Sequence, residues 1–348
     1  MYYAQKRELR SLIRNFTKSA AAKIATLLPY NSLVKFSGRD FILPFYHLVS
    51  DENLAHINQL YQVRGSALFE KDLDFLLKYY EPIDLAQLIA FNKGNLKKAS
   101  KPFMHLSFDD GLTSCQDTIA PILKRKGIPA TFFLNSAFID NKALMFRYKV
   151  SLCLNALDKL KKDKRDLLLK NSASLFERKD PSLAQYNESA KLDELALLLE
   201  LDFENYLLEM KPYMSSEQIQ ELINQGFSIG SHSKDHPLYK DISLEEQLNQ
   251  TIQSQQFIEK KFDINYRVFA FPFTDYGVKK DFFQQIFEKE KFDLCFGGAG
   301  LKSDLIEKNL QRFPMESQNN YSAKKMLSME YLYYILKMPF GKNVIRRR

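Results

Sequence analysis

Short β-prone runs alternate with amphipathic helical stretches over most of this chain, and this alternation is the feature that most restricts its fold. The apolar runs include FILPFYHL (41–48), HLSF (105–108), PATFFLNS (129–136) and FSIGS (227–231). Strand–helix–strand order with short connections favours parallel pairing with right-handed crossovers. About six or seven such strands fit a closed or nearly closed parallel barrel better than a flat sheet.

The alternation is interrupted once, between residues 140 and 213. This segment is rich in Leu, Lys, Asp and Glu at helical spacing and has no strand signal, which indicates a helical insertion. We therefore expect a basic amphipathic N-terminal segment (1–39), two barrel parts (40–139 and 214–316) and a basic C-terminal helical tail (317–348). The composition of the insertion is compatible with a lid and with a membrane-docking face.

The net charge of +8 is concentrated at the two ends of the chain. Residues 4–27 have the pattern of a helix with one basic and one apolar side. Such a helix could lie on an anionic membrane surface, or pack its apolar stripe on the protein with the charged face in water. No RNA- or DNA-binding motif accompanies the charge, so we expect no nucleic-acid partner.

We expect a cytoplasmic protein, with peripheral contact at the inner membrane surface as an open alternative. No stretch reaches the roughly 20 apolar residues of a membrane span, and Lys23 interrupts the apolar run near the N-terminus that would have to serve as a signal sequence. The three cysteines, Cys115, Cys153 and Cys295, are widely spaced, which is typical of reduced thiols.

FDDG at 108–111 ends a buried strand with two adjacent carboxylates. Along a strand, Asp109 and Asp110 would point to opposite faces, and one of them would enter a core. A turn through Gly111 would instead let both carboxylates project into the same space above the sheet. An Asp N-cap in a plain turn is the alternative interpretation of this motif alone.

GSHSKDHP at 230–237 places His232 and His236 directly after another predicted strand. A histidine pair plus a carboxylate gives three metal ligands, with positions left open for water and substrate. Because parallel α/β folds build their sites at the carboxyl ends of strands, we expect this motif and the FDDG motif to meet there.

Together the two motifs resemble those of the polysaccharide deacetylases (carbohydrate esterase family four), whose catalytic unit is the NodB homology domain. The resemblance covers roughly residues 40–315. It implies that Asp109 is the general base and that Asp110, His232 and His236 are the metal ligands. It also implies an α/β fold, a distorted (β/α)7-type barrel with a helical insertion, and metal-dependent removal of an acyl group from a sugar amide.

The expected chemistry agrees with this resemblance. A divalent metal would bind water and polarise the amide carbonyl, while Asp109 takes the proton of the water. A backbone N–H at Phe273 would help to hold the oxyanion. The donor set suits Zn²⁺, and Co²⁺, Ni²⁺ and Mn²⁺ stay open.

The later family motifs are changed in this chain. FAFPFTDYG (269–277) has Ala270 where the family usually carries an arginine that orients the base. Arg312, in LQRFPME (310–316), is our candidate substitute, with a structural or surface salt bridge as the alternative interpretation. No histidine follows His236 to serve as the usual general acid.

His47, at the end of the first predicted strand, is our candidate for the general acid. FYHLV and AFPF are similar to segments of the poly-N-acetylglucosamine deacetylase branch of the family. We expect His105 to be structural and His56 to be exposed. The aromatic and amide side chains expected to form a wall for a sugar ring, with core positions as the alternative, are Phe45, Tyr46, Asn135, Phe273 and Tyr276.

The sequence therefore predicts a metal-dependent carbohydrate N-deacetylase. Its substrate is either an exported N-acetylglucosamine polymer or a lipid-linked or nucleotide-linked precursor, and the reduced cysteines and basic ends favour the precursor. The missing arginine and the missing late histidine motivate one alternative, a non-catalytic carbohydrate-binding protein on a degenerate deacetylase fold.

Overall fold

A computed structural model describes residues 25–97, 99–172, 174–178, 180–316 and 319–347. The basic helix predicted over residues 4–27 therefore lies almost wholly outside the described residues. None of the described helices is long and apolar enough to cross a membrane.

The strands of the described residues are short. In chain order they are β1 (Phe41–Ile42), β2 (Pro44–Tyr46), β3 (Glu81–Pro82), β4 (Phe103–Met104), β5 (Leu106–Phe108), β6 (Ala130–Leu134), β7 (Ser228–Ser231), β8 (Val268–Ala270), β9 (Leu294–Gly297), β10 (Ser303–Asp304), β11 (Asn309–Gln311), β12 (Phe313–Pro314) and β13 (Val344–Ile345).

Eight of these strands form one sheet in the order β11-β9-β8-β7-β6-β5-β2-β12, and every pairing in it is parallel. Consecutive residues of a strand contribute to different parts of the core, since Phe132 packs in one buried cluster and Phe133 in another with Val268 and Phe296. Burial on both faces is what a parallel sheet covered by helices requires. The expected barrel of the (β/α)7 type is confirmed.

The barrel is closed by a seam at Arg312. β11 and β12 lie on opposite edges of the sheet, yet Arg312 alone separates them in the chain. The Arg312 N–H donates to the Gly297 carbonyl (3.2 Å), and the Phe313 N–H donates to the Leu43 carbonyl (2.8 Å). The backbone thus passes from one edge of the sheet to the other, and Arg312 is held where the edges meet.

The run FILPFYHL is two strands rather than the single strand expected. β1 pairs with β4 in a three-stranded sheet of order β1-β4-β3, whereas β2 pairs with β5 and β12 in the barrel. The change of sheet falls next to Pro44, which has no N–H to donate to a ladder. The segment 103–108 divides in the same way, because β4 belongs to the three-stranded sheet, β5 belongs to the barrel, and His105 lies between them.

The described α-helices are Tyr30–Ser37, Ser66–Tyr79, Leu85–Asn92, Ala120–Lys126, Phe146–Lys159, Lys162–Ser172, Ser189–Leu198, Phe203–Met210, Ser216–Asn224, Leu244–Phe262, Lys280–Gln284 and Ala323–Lys337. Local sequence sets several of their ends. The helix Ser216–Asn224 begins after a capping box in which Ser215 accepts from the Gln218 N–H and the Gln218 side chain accepts from the Ser215 N–H. The helix Ala120–Lys126 ends at Gly127, whose φ of 66° is left-handed.

Four of these helices lie in the range 140–213, where the sequence predicts an insertion. They have a buried cluster of their own that includes Tyr148, Leu152 and Leu192. The same cluster contains Leu48 and Ile57, which precede the first barrel helix. The insertion therefore packs on one part of the barrel rim, beside the carboxyl ends of β2 and β5.

The C-terminal tail contains the helix Ala323–Lys337 and, after it, a short strand and two buried ion pairs. β13 pairs in parallel with β10, and the Arg347 guanidinium contacts both Asp275 and Asp304. The side chains of these three residues are 4%, 2% and 0% exposed, respectively. Arg347 also donates to the Asp275 carbonyl (2.8 Å), so the tail fastens the loop that follows β8.

Replacement of Arg347 by methionine is expected to lower the free energy of unfolding by about 2–3 kcal/mol, because it leaves two buried carboxylates without their cation. Asn309 and Gln311 still donate to these carboxylates, which limits the loss. Denaturant unfolding at neutral pH measures it. Arg346→Met, at an exposed neighbouring position, is the control, and equal effects of the two substitutions would contradict the prediction.

Candidate active site

The structure brings together Asp110, which follows β5, and His232 and His236, which follow β7. Asp110 and Gly111 both have left-handed φ angles, 72° and 67°, so the chain turns as the sequence predicts. The Asp110 Oδ1 atom lies 3.5 Å from His232 Nε2 and 3.2 Å from His236 Nε2. One donor atom from each of the three residues falls within 4.8 Å of the other two.

These three residues fit a divalent cation. Donor atoms about 2.1 Å from one tetrahedral metal ion stand roughly 3.4 Å from one another, which is close to the separations here. Asp110 Oδ1 and His232 Nε2 are buried, and no described residue forms a hydrogen bond with them. Buried polar atoms are otherwise almost always paired, so this cluster suits an ion.

The protonation states also suit metal binding. Burial lowers the pKa of His232 to about 4, which leaves a neutral imidazole with a free lone pair. Burial alone would raise the pKa of Asp110, but His236 beside it, together with His47 and His232, outweighs burial and holds that pKa well below its usual range. Asp110 is therefore ionised at neutral pH.

Groups around the three donors fix their orientation. The His232 Nδ1–H donates to the Ala270 carbonyl (2.8 Å), which directs Nε2 towards Asp110. The Tyr148 hydroxyl donates to Asp110 Oδ2 (3.0 Å). Tyr148 belongs to the helical insertion, so the insertion supplies part of the site, a contribution that no sequence motif indicates.

Tyr148→Phe is expected to weaken metal affinity or activity by about 10- to 100-fold, since it removes the hydrogen bond that orients Asp110. Titration of chelator-treated protein with Zn²⁺ measures the affinity. Tyr206→Phe, which removes a hydroxyl bonded to His56 rather than to Asp110, is the matched control. Wild-type affinity in Tyr148→Phe would show that Asp110 is held without it.

Asp109 forms a buried fork with Arg312. The two guanidinium Nη atoms donate to the two carboxylate oxygens at 2.7 Å each, and Nη1 also donates to Ser107 (3.1 Å). Both side chains are 2% exposed. Burial would raise the pKa of Asp109, but Arg312 and His232 overcome it and lower that pKa, so the carboxylate is ionised. Arg312 thus occupies the place of a cationic orienter beside Asp109.

His47 lies on the same side of the barrel and pairs with Glu316. His47 Nδ1 is 2.5 Å from Glu316 Oε2, and Glu316 Oε1 accepts from the His47 N–H (2.7 Å). Burial would lower the pKa of His47, but the Glu316 carboxylate, with smaller effects of Asp110 and Asp109, raises it to about 10. The imidazolium is thus the neutral-pH form. Glu316 was not identified from the sequence as a partner of His47. The only signal for it in the sequence is its position just after the strand that follows Arg312.

A cavity of about 360 Å³ connects these groups. Asp109, Asp110, His47, His236 and Arg312 all line it. The apolar part of its wall is formed by Phe45, Leu60, Tyr61, Met145, Phe271, Phe273 and Pro314. One cavity therefore combines two of the three residues that could hold a metal, a carboxylate and an imidazolium with aromatic surface of the kind that packs on a sugar ring.

The other residues predicted to form the sugar wall differ in exposure and in whether they line this cavity. Phe273 lines the cavity, is 47% exposed, and has its ring 4.5 Å from that of His236. Tyr276 is 76% exposed and does not line this cavity. Tyr46 (0% exposed) and Asn135 (1%) are buried, so the prediction that they form the wall is wrong.

Each of the two buried residues has a structural partner. Tyr46 donates to Asp72 (3.4 Å) and packs on Phe69. The Asn135 amide donates to the His232 carbonyl and so supports the loop that carries the histidines.

The remaining two histidines lie away from the donor cluster. His105 is buried, between the Ile83 carbonyl and the Thr131 hydroxyl (2.9 Å each), as a structural histidine would be. His56 is 3% exposed, so its predicted exposure is wrong. The insertion covers it, because Tyr206 bonds its Nδ1 (2.7 Å) and Tyr148 packs on its ring.

Comparison with known proteins gives a family and a set of similar folds. The family model for polysaccharide deacetylase matches residues 96–286, which is more than half of the chain. No curated protein gives a significant match.

Three solved structures are similar to this one at low sequence identity, and they show the fold. The deacetylase PplD from Streptococcus pyogenes is 14% identical over 83% of this chain and 97% of its own, with a TM-score of 0.54. IcaB from Ammonifex degensii is 14% identical over 84% and 97%, with a TM-score of 0.52. A de-N-acetylase from Aggregatibacter actinomycetemcomitans is 16% identical over 78% and 94%, with a TM-score of 0.51.

Proposed function

Because this chain belongs to the polysaccharide deacetylase family, we propose that it is a metal-dependent hydrolase that removes an N-acyl group from an amino sugar. Acetyl is the first acyl group to test. The acylated sugar belongs to a polysaccharide or to a glycan precursor. The observation that carries the proposal is the convergence of Asp110, His232 and His236 beside the fork of Asp109 and Arg312.

A divalent cation held by Asp110, His232 and His236 would supply Lewis-acid activation of the water and of the amide carbonyl. One carboxylate and two imidazoles are ligands that Zn²⁺ accepts readily, and Co²⁺, Ni²⁺ or Mn²⁺ can use the same donors. Zn²⁺ is therefore the first ion to test.

In this mechanism Asp109 is the general base. Its Oδ2 atom lies 3.9 Å from His232 Nε2, so it faces the metal-binding donors without being one of them in the proposed set. It accepts a proton as water attacks the amide carbon. Arg312 holds both carboxylate oxygens, which keeps the base ionised and in one orientation. The two adjacent aspartates thus have separate tasks.

His47 is the proposed general acid. As an imidazolium it donates a proton to the sugar nitrogen when the C–N bond breaks, which releases a neutral amine and a carboxylic acid. Glu316 fixes its Nδ1 and leaves Nε2 for the substrate. Proton exchange with solvent then restores Asp109 as carboxylate and His47 as imidazolium. The backbone N–H of Phe273 is the proposed further donor to the oxyanion.

Glu316→Gln is expected to move the alkaline limb of the pH profile of kcat/KM to lower pH. Glu316 is the main influence that raises the pKa of His47, so without its charge His47 loses its proton, and with it the acid function, at lower pH. The measurement is kcat/KM from about pH 5 to about pH 10, a range that spans the ordinary and the raised pKa of a histidine. Glu307→Gln, at an exposed position before β11, is the control, and an unchanged profile in Glu316→Gln would remove His47 from this role.

The assay for the proposed function measures release of acetate and formate from N-acylated glucosamine, its oligomers and glycan precursors, by the full chain. We expect the wild-type protein to release the acid. This release should disappear when a chelator is added and in the His232→Ala variant. Binding of metal and sugar without release of acid from any of these substrates would instead identify a non-catalytic carbohydrate-binding protein.

A further inference from the structure

A second cavity, of about 470 Å³, adjoins the catalytic one. Arg147 and Phe273 line both, so they form the boundary between them. Arg147 is the residue before Tyr148, whose hydroxyl bonds the metal-binding Asp110. The second cavity therefore begins next to the residue that bonds Asp110, on the first turn of the insertion helix Phe146–Lys159.

The charge of this second cavity is positive. Three cations, Arg147, Arg178 and Lys240, line it, against one carboxylate, Asp241. None of the three cations forms an ion pair with a described residue, whereas Arg312 in the catalytic cavity is paired with Asp109.

Arg147 is the most informative of the three cations. It is partly buried, and its one hydrogen bond to a described residue goes to the Ser182 carbonyl (3.2 Å), which is neutral. Burial lowers the pKa of Arg147 from its ordinary value, since the charge has lost water without gaining a counter-charge. A partly desolvated guanidinium without an anion is a site that an anionic ligand would complete.

The positive charge of the second cavity argues against a substrate that would place another cationic sugar in it. A polymer of glucosamine from which acyl groups have been removed carries ammonium groups. Three cations that pair with no described carboxylate would repel those groups. A phosphate ester has the opposite charge, and its oxygens match the fork of an arginine. In a 2-acylamino sugar 1-phosphate the two groups stand on adjacent ring carbons, so the amide can face Asp109 while the phosphate faces Arg147.

We propose that the second cavity binds a phosphate or diphosphate ester of the acylated amino sugar, with Arg147 as its main ligand. This rests on the proposed function and narrows its substrate class to phosphorylated precursors. Phe146, Leu183 and Ile242 add apolar surface to the cavity, which suits the group beyond the phosphate, whether a nucleoside or a lipid.

The experiment compares acetate release by the full chain from four substrates. They are N-acetylglucosamine 1-phosphate, uridine diphosphate N-acetylglucosamine, a polyprenyl diphosphate N-acetylglucosamine in detergent, and a neutral N-acetylglucosamine tetramer. We expect kcat/KM to favour at least one phosphorylated substrate over the tetramer. The phosphorylated substrate with the highest kcat/KM shows whether the natural sugar phosphate is soluble or lipid-linked.

Arg147→Met is expected to reduce the ratio of phosphorylated to neutral kcat/KM by about 10- to 100-fold, as loss of a charged hydrogen-bonding partner does. Arg147→Lys, which keeps the charge but not the fork, should lose less. Lys162→Met, an exposed cation of the insertion outside the cavity, should keep the wild-type ratio. A ratio that Arg147→Met leaves unchanged would overturn the inference.

Binding in the absence of metal separates this inference from the proposed function. In chelator-treated protein, N-acetylglucosamine 1-phosphate should bind wild type at least tenfold more tightly than it binds Arg147→Met, measured by calorimetry. That result supports the cavity even if no acyl group is released. Active protein that prefers the neutral tetramer and binds no sugar phosphate would keep the hydrolase and refute the phosphate site.

Discussion

Asp109→Asn is expected to lower kcat by about 10²- to 10⁴-fold, the usual contribution of a general base. Asparagine has nearly the shape of aspartate and can still accept a hydrogen bond from Arg312, but it cannot take a proton from water. Because Asp110, His232 and His236 are unchanged, metal stoichiometry should stay at the wild-type value. The measurement is single-substrate kinetics on the best substrate found, together with metal analysis of the purified variant.

The control for this variant is Asp117→Asn. Asp117 follows the same strand and is exposed outside the cavity, so the kcat of this control should match that of wild type. Asp109→Asn also leaves the buried Arg312 charge without its counter-ion, so thermal unfolding is measured in parallel to show that the variant is folded during the assay. A folded, metal-loaded Asp109→Asn enzyme with kcat within about threefold of wild type would exclude Asp109 as the base, since a general base contributes far more than that.

Arg312→Met is expected to reduce both stability and activity. Methionine leaves the Asp109 carboxylate buried and without its cation, which typically costs about 3–5 kcal/mol of unfolding free energy. The pKa of Asp109 should rise, because burial is then opposed mainly by His232 and His47. The acid limb of the kcat/KM profile should therefore move to higher pH.

The pH dependence of stability provides a separate test of the fork. Arg312 holds the pKa of Asp109 below its unfolded value, so its stabilisation is complete above that value, about 3.9, and is lost as pH falls through the folded pKa. The stability difference between wild type and Arg312→Met should thus be largest near neutral pH and smaller in acid. Denaturant unfolding at several pH values measures it.

The control is Arg125→Met, which removes an exposed pair with Glu70 and should cost less than about 1 kcal/mol. A loss in Arg312→Met as small as that of this control would mean that the fork does not hold the seam. Arg312→Lys keeps the positive charge but cannot form the two-pronged contact with Asp109. Compared with Arg312→Met, it should be more stable, and the acid limb of its kcat/KM profile should lie at lower pH.

Local patterns were enough to predict the barrel and the place of the donor cluster. Strand ends carry the FDDG and HxxxH motifs, and parallel pairing alone brings those ends to one edge of the sheet. The residues that complete the site come from contacts distant in sequence. Arg312 reaches Asp109 because β11 and β12 lie on opposite edges of the barrel, a closure that periodicity does not show.

The error at Tyr46 has a physical reason that the sequence already contained. Phe45 and His47 both line the cavity, and side chains alternate between the faces of a strand. Tyr46 must therefore point away from the cavity, towards the helix Ser66–Tyr79, where it packs on Phe69.

The errors and omissions around His56 and Tyr148 have a different cause. Both depend on how the insertion packs on the barrel rim, which helical periodicity within residues 140–213 does not specify. The insertion buries His56 and brings Tyr148 to Asp110. Glu316 is likewise brought to His47 by the pairing of β12 with β2.

The central claim of this account is that Asp110, His232 and His236 hold the metal on which amide hydrolysis depends. The most direct test is to titrate chelator-treated protein with Zn²⁺ while acyl release is followed. We predict no activity at the start, a linear rise to a plateau at one equivalent of metal, and no such rise in His232→Ala. Full activity in the presence of chelator, or equal metal-dependent activity in His232→Ala, would contradict the claim.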